Sequence, residues 1–166
     1  PAVGAEYPLS TCQLDFCLPA KFDLRYIDRD GTEKCPVVIH RAILGSLDRF
    51  MAYIIEETKG RFPLWLAPMQ VKVLPVSEKT LDYARGVYDA LEDAGVRVVL
   101  DESNEKIGYK IRLAQQEDRV PYMLVIGARE AEGNTVAVRT RAGEDLGAMS
   151  LEDFLAKVKT EIKEKK

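Results

Sequence analysis

The only histidine of the chain, His40, follows Cys35 by five residues, with Cys12 and Cys17 further upstream. Four such ligands could in principle close a zinc site. Their spacing matches none of the compact Cys/His patterns, and cysteines on separate strands more often pack as small core residues. A second loaded stretch is NEKIGYKIR, where Asn104, Lys106, Lys110 and Arg112 surround Tyr109. Planar and hydrogen-bonding side chains of this kind suit unpaired RNA bases, although the same mixture also makes an ordinary solvated helix face. The turn Pro75 to Glu78 contains no glycine. Backbone amides there cannot approach phosphates as they do in nucleotide-binding folds, which argues against a Rossmann or P-loop role.

The elements that must position these residues fall into two groups. In the first third, Gln13 to Leu18, Phe22 to Ile27 and Pro36 to Leu44 read as adjacent antiparallel strands. The sequence Asp28-Arg29-Asp30-Gly31 between the second and third suits a hairpin loop. Ser46 can cap a helix whose Leu47, Phe50, Met51, Ile54 and Ile55 recur at helical spacing, predicting one buried face. Periodicity then stops between Lys59 and Met69, where Pro63 and Pro68 exclude a continuous helix. We place the domain boundary there, giving 1–66 and 67–166.

Beyond it, the pattern predicts strands at Gln70–Val76, Arg97–Asp101, Pro121–Gly127 and Thr135–Thr140. Helices are expected from about Ser77 to Ala94, from Asn104 to Gln116 and from Ser150 onward. Gly95 should end the first by a left-handed cap, Asn104 should cap the second, and Ser150 with Asp153 resembles a capping box. Alternating strands and helices imply a three-layer α/β domain with a mixed, largely parallel sheet. The first part reads as an antiparallel strand-and-helix unit.

At 166 residues, with 46% hydrophobic and 31% charged residues, the chain can bury a core, and its formal net charge of −3 excludes RNA binding through bulk positive charge. Any RNA site must be a local cluster of basic side chains. Three cysteines are an odd number for a disulfide framework and suit a reducing compartment, so the expected location is cytoplasmic. No apolar run approaches the roughly 20 residues that span a bilayer, and the opening PAVGAEYPLS has no export-signal pattern. The start at Pro1 suggests a piece of a longer protein.

The segment PVVIHRAILGSLDRF closely resembles the third signature motif of class II aminoacyl-tRNA synthetases in the form found in threonyl-tRNA synthetases. The resemblance extends in order through STCQLDFCLPAKFDLRYIDRDG, FPLWLAPMQV, NEKIGYKIR, VPYMLVIG and VAVRTRAGEDLGAMS, from Ser10 nearly to the end. It implies the end of a catalytic core followed by an anticodon-binding domain, in a bacterial-type enzyme that uses ATP to join threonine to tRNA(Thr). By that likeness His40 matches one of three protein ligands of a catalytic zinc ion. Arg49 matches an arginine that packs against ATP, and Gln13 and Ser46 match positions lining the threonine and adenylate pocket. Asn104, Lys106, Arg112, Arg119, Glu130 and Arg139 match the anticodon-recognising positions.

The family usually carries Gln-Cys-Gly before Thr11, where this chain has Pro8-Leu9-Ser10, and nothing resembling motifs one or two precedes it. The first nine residues therefore look foreign or divergent. The other two zinc ligands and most ATP and magnesium contacts are missing, so this chain alone is expected to retain no zinc and form no adenylate. A homodimer is implied for the longer enzyme. The competing expectations are a non-catalytic RNA-binding or protein-docking module of the same fold and, more weakly, a structural Cys-His zinc domain.

Overall fold

A computed structural model describes residues 8–165. Most of the foreign-looking opening, residues 1–7, lies outside them. The chain divides into two compact units, one ending at Glu57 and the other beginning at Thr58.

In the first unit, β1 (Thr11–Asp15) pairs antiparallel not with its sequence neighbour but with β4 (Val38–Ala42), placing Gln13 opposite His40. The expected strand ends early because Asp15 Oδ1 accepts hydrogen bonds from the N–H groups of Cys17 and Leu18. This local bonding turns Cys17 and Leu18 into the short helix α1 (Cys17–Lys21). Of the strand expected over Phe22–Ile27, only β2 (Tyr26–Ile27) forms, paired with β3 (Glu33–Lys34) around the anticipated Asp28–Gly31 turn. The three strands are thus two separate two-stranded ladders.

Helix α2 (Leu47–Thr58) forms as its periodicity predicts, and Ser46 Oγ accepts from Arg49 N–H at 3.4 Å, a weak cap. Its apolar face is not buried: Leu47, Met51 and Ile55 are all exposed. A 3.6-residue period marks the face that can be buried, but in the described part of this unit that face is only partly covered, with Phe50 and Ile54 half-buried. Gly45 before the helix has φ +68°, and a Cβ there would meet the carbonyl oxygen of Leu9 at 2.6 Å.

The second unit is a three-layer α/β sandwich. Its strands are β5 (Val71–Pro75), β6 (Val98–Leu100), β7 (Tyr122–Ile126), β8 (Thr135–Thr140) and β9 (Asp145–Ser150), in spatial order β6-β5-β7-β8-β9. The sheet is mixed: β5 is parallel to both β6 and β7, whereas β8 runs antiparallel to β7 and β9. Central β5 is buried throughout, as expected for a strand covered on both faces. Val71 and Val73 join Ala84, Val87 and Leu91 of α3 (Leu81–Asp93) and Phe154 and Val158 of α6 (Leu151–Glu164) in the main core. Leu74 points to the other face and joins Met123, Val120 and Ala114 of α4 (Ile107–Gln116) in a smaller one.

Helix α3 is entered through a short 3-10 turn, Glu78–Thr80, and closed by Gly95 at φ +80°. There the N–H of Val96 bonds the Leu91 carbonyl and that of Gly95 the Glu92 carbonyl. This is the left-handed cap that the glycine suggests. Ser150 caps α6 through the Asp153 N–H, and its hydroxyl donates to the Asp153 carboxylate. Asn104 does not cap α4; Lys106 occupies that position without a side-chain cap bond. Two elements of this unit were not anticipated, α5 (Ala128–Gly133) and β9. The first is short, and the second, Asp-Leu-Gly-Ala-Met-Ser, contains a glycine and weak strand formers that sheet pairing overrides.

The proline-bracketed segment packs with this unit. Leu64 enters the main core, Gln70 Nε2 donates to the Leu64 carbonyl, and Arg97 donates to the carbonyls of Ala67 and Trp65. No helix among the described residues is long and apolar enough to cross a membrane.

Candidate nucleic-acid interface

Strand alternation decides which side chains of the second unit are available. Val136 and Val138 face the main core, so Ala137 and Arg139 face the side on which α4 lies. Helix α4 packs over Leu74 and Met123, on β5 and β7. It leaves this side of β8 and β9 uncovered, with Ala148 exposed and Ala137 and Arg139 half-buried. A Cβ placed on Gly143, in the β8–β9 hairpin, would lie 3.7 Å from Gln115 Nε2, so the C-terminal end of α4 borders the hairpin. The result is an open shelf walled by a helix.

Arg139 stands on the shelf. Its Nη2 is 3.0 Å from Asp145 Oδ2, and the pair is substantially exposed. Asp145 is itself held by the Gly147 N–H at 2.9 Å. That bond first, and the arginine second, keep its carboxyl below the usual range. On the outer surface of α4, Arg112 lies over the Tyr109 ring with its guanidinium carbon 5.5 Å from the centroid. Arg112 thus lies over one side of the Tyr109 ring, and the two exposed planar groups together make a suitable platform for unstacked bases.

Asn104 and Lys106 are exposed in the loop after β6, at the N-terminal end of α4. Glu130 sits in the first turn of α5, at the same C-terminal edge of the parallel strands, and accepts the Gly127 N–H at 2.8 Å. It is a helix cap in this state. Arg119, at φ +52°, lies at the opposite edge, and its guanidinium donates to the carbonyls of Lys59 and Gln116. Four of the six expected residues therefore lie along or at the head of α4 and on the neighbouring shelf. Glu130 and Arg119 have other engagements.

Lys110, grouped in the sequence with Lys106 and Arg112 around Tyr109, is buried. Its ammonium donates to the Asp101 carbonyl at 3.0 Å and stands 3.7 Å from that residue's carboxylate. Beneath α4, buried Lys72 is 2.5 Å from Asp118 and 3.6 Å from Asp101. Burial alone would raise the Asp101 carboxyl, but hydrogen bonds from Ser103 and the charges of Lys110 and Lys72 outweigh it and lower it. Sequence reasoning missed this network because a lysine in a strand reads as solvent-facing. The one clue was Lys72 inside an otherwise apolar central strand.

In the first unit, register brings Gln13 and His40 together, and His40 Nε2 bonds Asp15 Oδ2 at 2.9 Å. Asp15 was not singled out, although a spacing of two from Gln13 puts it on the same strand face. Its carboxyl is held low chiefly by the Leu18 N–H, then by His40. Cys12, Cys17 and Cys35 are exposed free thiols. Among the described residues no three His, Cys, Asp or Glu side chains gather so as to hold a metal. The Cys-His tetrad does not form: Cys12 pairs opposite Arg41 rather than His40, and strand alternation turns it to the other face. The described residues supply His40 but no complete zinc donor set. Ser46 and Arg49 are joined through the start of α2 and are both exposed.

This chain belongs to the anticodon binding domain family, which it matches over residues 70–161, and residues 1–58 match the tRNA synthetase class II core domain (G, H, P, S and T). Within that class the likeness is to threonine–tRNA ligases. The chain is 54% identical over 164 residues to that of Acetivibrio thermocellus, covering 99% of this chain and 26% of the relative. It is 51% identical over 162 residues to that of Listeria monocytogenes, covering 97% and 25%. It therefore spans about a quarter of the length of these relatives. Among solved structures, it resembles the RNA binding domain of threonyl-tRNA synthetase from Cryptosporidium parvum Iowa II, with TM-score 0.82 and 40% identity over 96% of this chain and 40% of that one. A prolyl-tRNA synthetase from Cryptosporidium parvum, 22% identical with TM-score 0.72 over 93% of this chain and 33% of that one, shares the fold.

Proposed function

We propose that this chain is the anticodon-reading end of an ATP-dependent threonine–tRNA ligase, with tRNA(Thr) as its partner. The observation that carries this reading is the pairing of an open shelf, on which half-buried Arg139 stands, with the exposed Tyr109–Arg112 platform on the neighbouring helix of a chain with net negative charge. Specificity needs base-edge donors and stacking surfaces, and affinity needs a few local cations, so a net negative charge is compatible with it. Lys106 serves the phosphates, while Arg112, Arg139 and Asn104 face bases, with Glu130 joining them from the head of the sheet. Arg119 acts from the far edge, where its present bonds hold the Lys59 turn.

In the longer enzyme, Gln13, Ser46 and Arg49 would line the threonine and ATP pocket, with magnesium on the phosphates. His40 would contribute one zinc ligand, and the remaining donors would come from other segments. The exposed apolar face of α2 supports this, because a helix of that pattern is built to be covered. We assign the longer protein to the cytoplasm as a homodimer.

The direct test is binding of the purified chain to tRNA(Thr) and to other tRNAs across a range of salt. The reading requires a preference for tRNA(Thr) that survives salt concentrations at which the other tRNAs dissociate. Equal affinity for all tRNAs would reject it.

A further inference from the structure

The β8–β9 ladder contains an irregularity at the place where Arg139 leaves the sheet. Val138 pairs with Gly147 but the next residue, Arg139, pairs with Asp145, so Leu146 is the extra residue of a bulge. Gly147 has φ +80°, the left-handed backbone that lets such a bulge form. The consequence is a change of register. Without the bulge Leu146 would oppose Arg139 on the open shelf; with it, Leu146 packs against the main core and Asp145 takes the opposing place.

Asp145 is fastened at both oxygens, Oδ1 to the Gly147 N–H at 2.9 Å and Oδ2 to Arg139 Nη2 at 3.0 Å. An exposed pair of this kind adds little to stability. Its effect is on the arginine, whose rotamer freedom it removes and whose charge it offsets. A guanidinium held on one edge keeps its other N–H groups directed outward, and a neighbouring carboxylate disfavours a phosphate at the same position.

We propose that Asp145 is a positioning residue that makes Arg139 a reader of bases rather than a binder of phosphate, and thereby sets anticodon specificity. This rests on the reading of the shelf as an RNA interface. Releasing Arg139 should leave a mobile cation that any nucleic acid can use. Discrimination then falls while non-specific affinity rises.

The experiment compares Asp145→Ala, Asp145→Asn and Arg139→Ala in the whole chain. For each, binding to tRNA(Thr) and to the same tRNA with a changed anticodon is titrated over salt. Asp145→Asn keeps an acceptor for the Gly147 N–H, so it preserves the hairpin while removing the charge. Both Asp145 variants should lower the preference for tRNA(Thr) by about tenfold, as for one lost base contact. They should also bind the altered tRNA more tightly, with a salt dependence steeper by roughly one phosphate contact. If Arg139→Ala abolishes the preference while both Asp145 variants keep it, or weaken both tRNAs equally, the positioning role is overturned and the RNA reading stands. If Arg139→Ala leaves the preference intact, the base-reading assignment of Arg139 falls, and the role of Asp145 with it.

Discussion

Lys72 Nζ stands 2.5 Å from the Asp118 carboxylate, joining β5 to the segment just after the helix that walls the open shelf. Lys72 is buried, whereas Asp118 reaches solvent, so losing the lysine mainly deprives buried Asp101 of one of its two ammonium neighbours. Lys72→Ala should therefore destabilise the second unit by about 1–3 kcal/mol, read by urea denaturation. Lys72→Met, which also removes the charge but keeps the volume, should recover part of this. Equal stability of all three proteins would show that the network is structurally neutral.

The same network gives a pH dependence. The Asp101 carboxyl is lowered in the folded chain, so its contribution is present above the ordinary aspartate value of about 4 and is lost as pH falls through the lower folded value. Stability against urea should drop on the acid side of pH 4 more steeply in the wild type than in Asp101→Asn. A parallel acid limb in the two proteins would assign the loss to other carboxylates.

On the shelf, affinity and specificity should separate. Lys106→Ala should weaken all tRNAs alike and reduce the slope of log affinity against log salt by about one contact. Arg139→Ala should cost about 1–3 kcal/mol for tRNA(Thr) and little for other tRNAs. Salt titrations in which all variants behave as wild type would move the interface elsewhere.

Glu130 needs a finer test because it caps α5 through the Gly127 N–H. Glu130→Ala should lower stability by roughly 1 kcal/mol through the lost cap, in addition to any loss of RNA affinity. Glu130→Gln keeps a cap acceptor. Near-wild-type stability with weakened tRNA(Thr) binding in this variant is the outcome expected if Glu130 reads a base.

Metal content gives a further test. His40 bonds Asp15, and the described residues offer no complete donor set, so zinc after dialysis should fall well below one equivalent per chain. One tightly held zinc would require ligands arranged otherwise.

The strand-like runs Val71–Pro75 and Thr135–Thr140, the spacing of Ala84, Val87 and Leu91, and the glycine at 95 were enough to place most of the α/β unit. These signals are local: strand and helix periods, and a cap that needs a positive φ, are written in consecutive residues. The family resemblance likewise pointed from short runs of sequence to Arg112 and Arg139, and also to Arg119, which lies at the opposite edge of the unit.

Tertiary structure alone decided which of those residues are free to act. Lys106 and Lys110 are four apart and chemically alike, yet one is exposed and the other is buried against Asp101, because α4 lies across β5 at that turn. Leu146 and Asp145 exchange faces through a bulge that arises only when β9 pairs with β8. Gln13, Asp15 and His40 meet because β1 skips its sequence neighbours to pair with β4. Sequence periodicity says how often a side chain turns toward a face, but pairing register and the helix laid over it determine what that face meets.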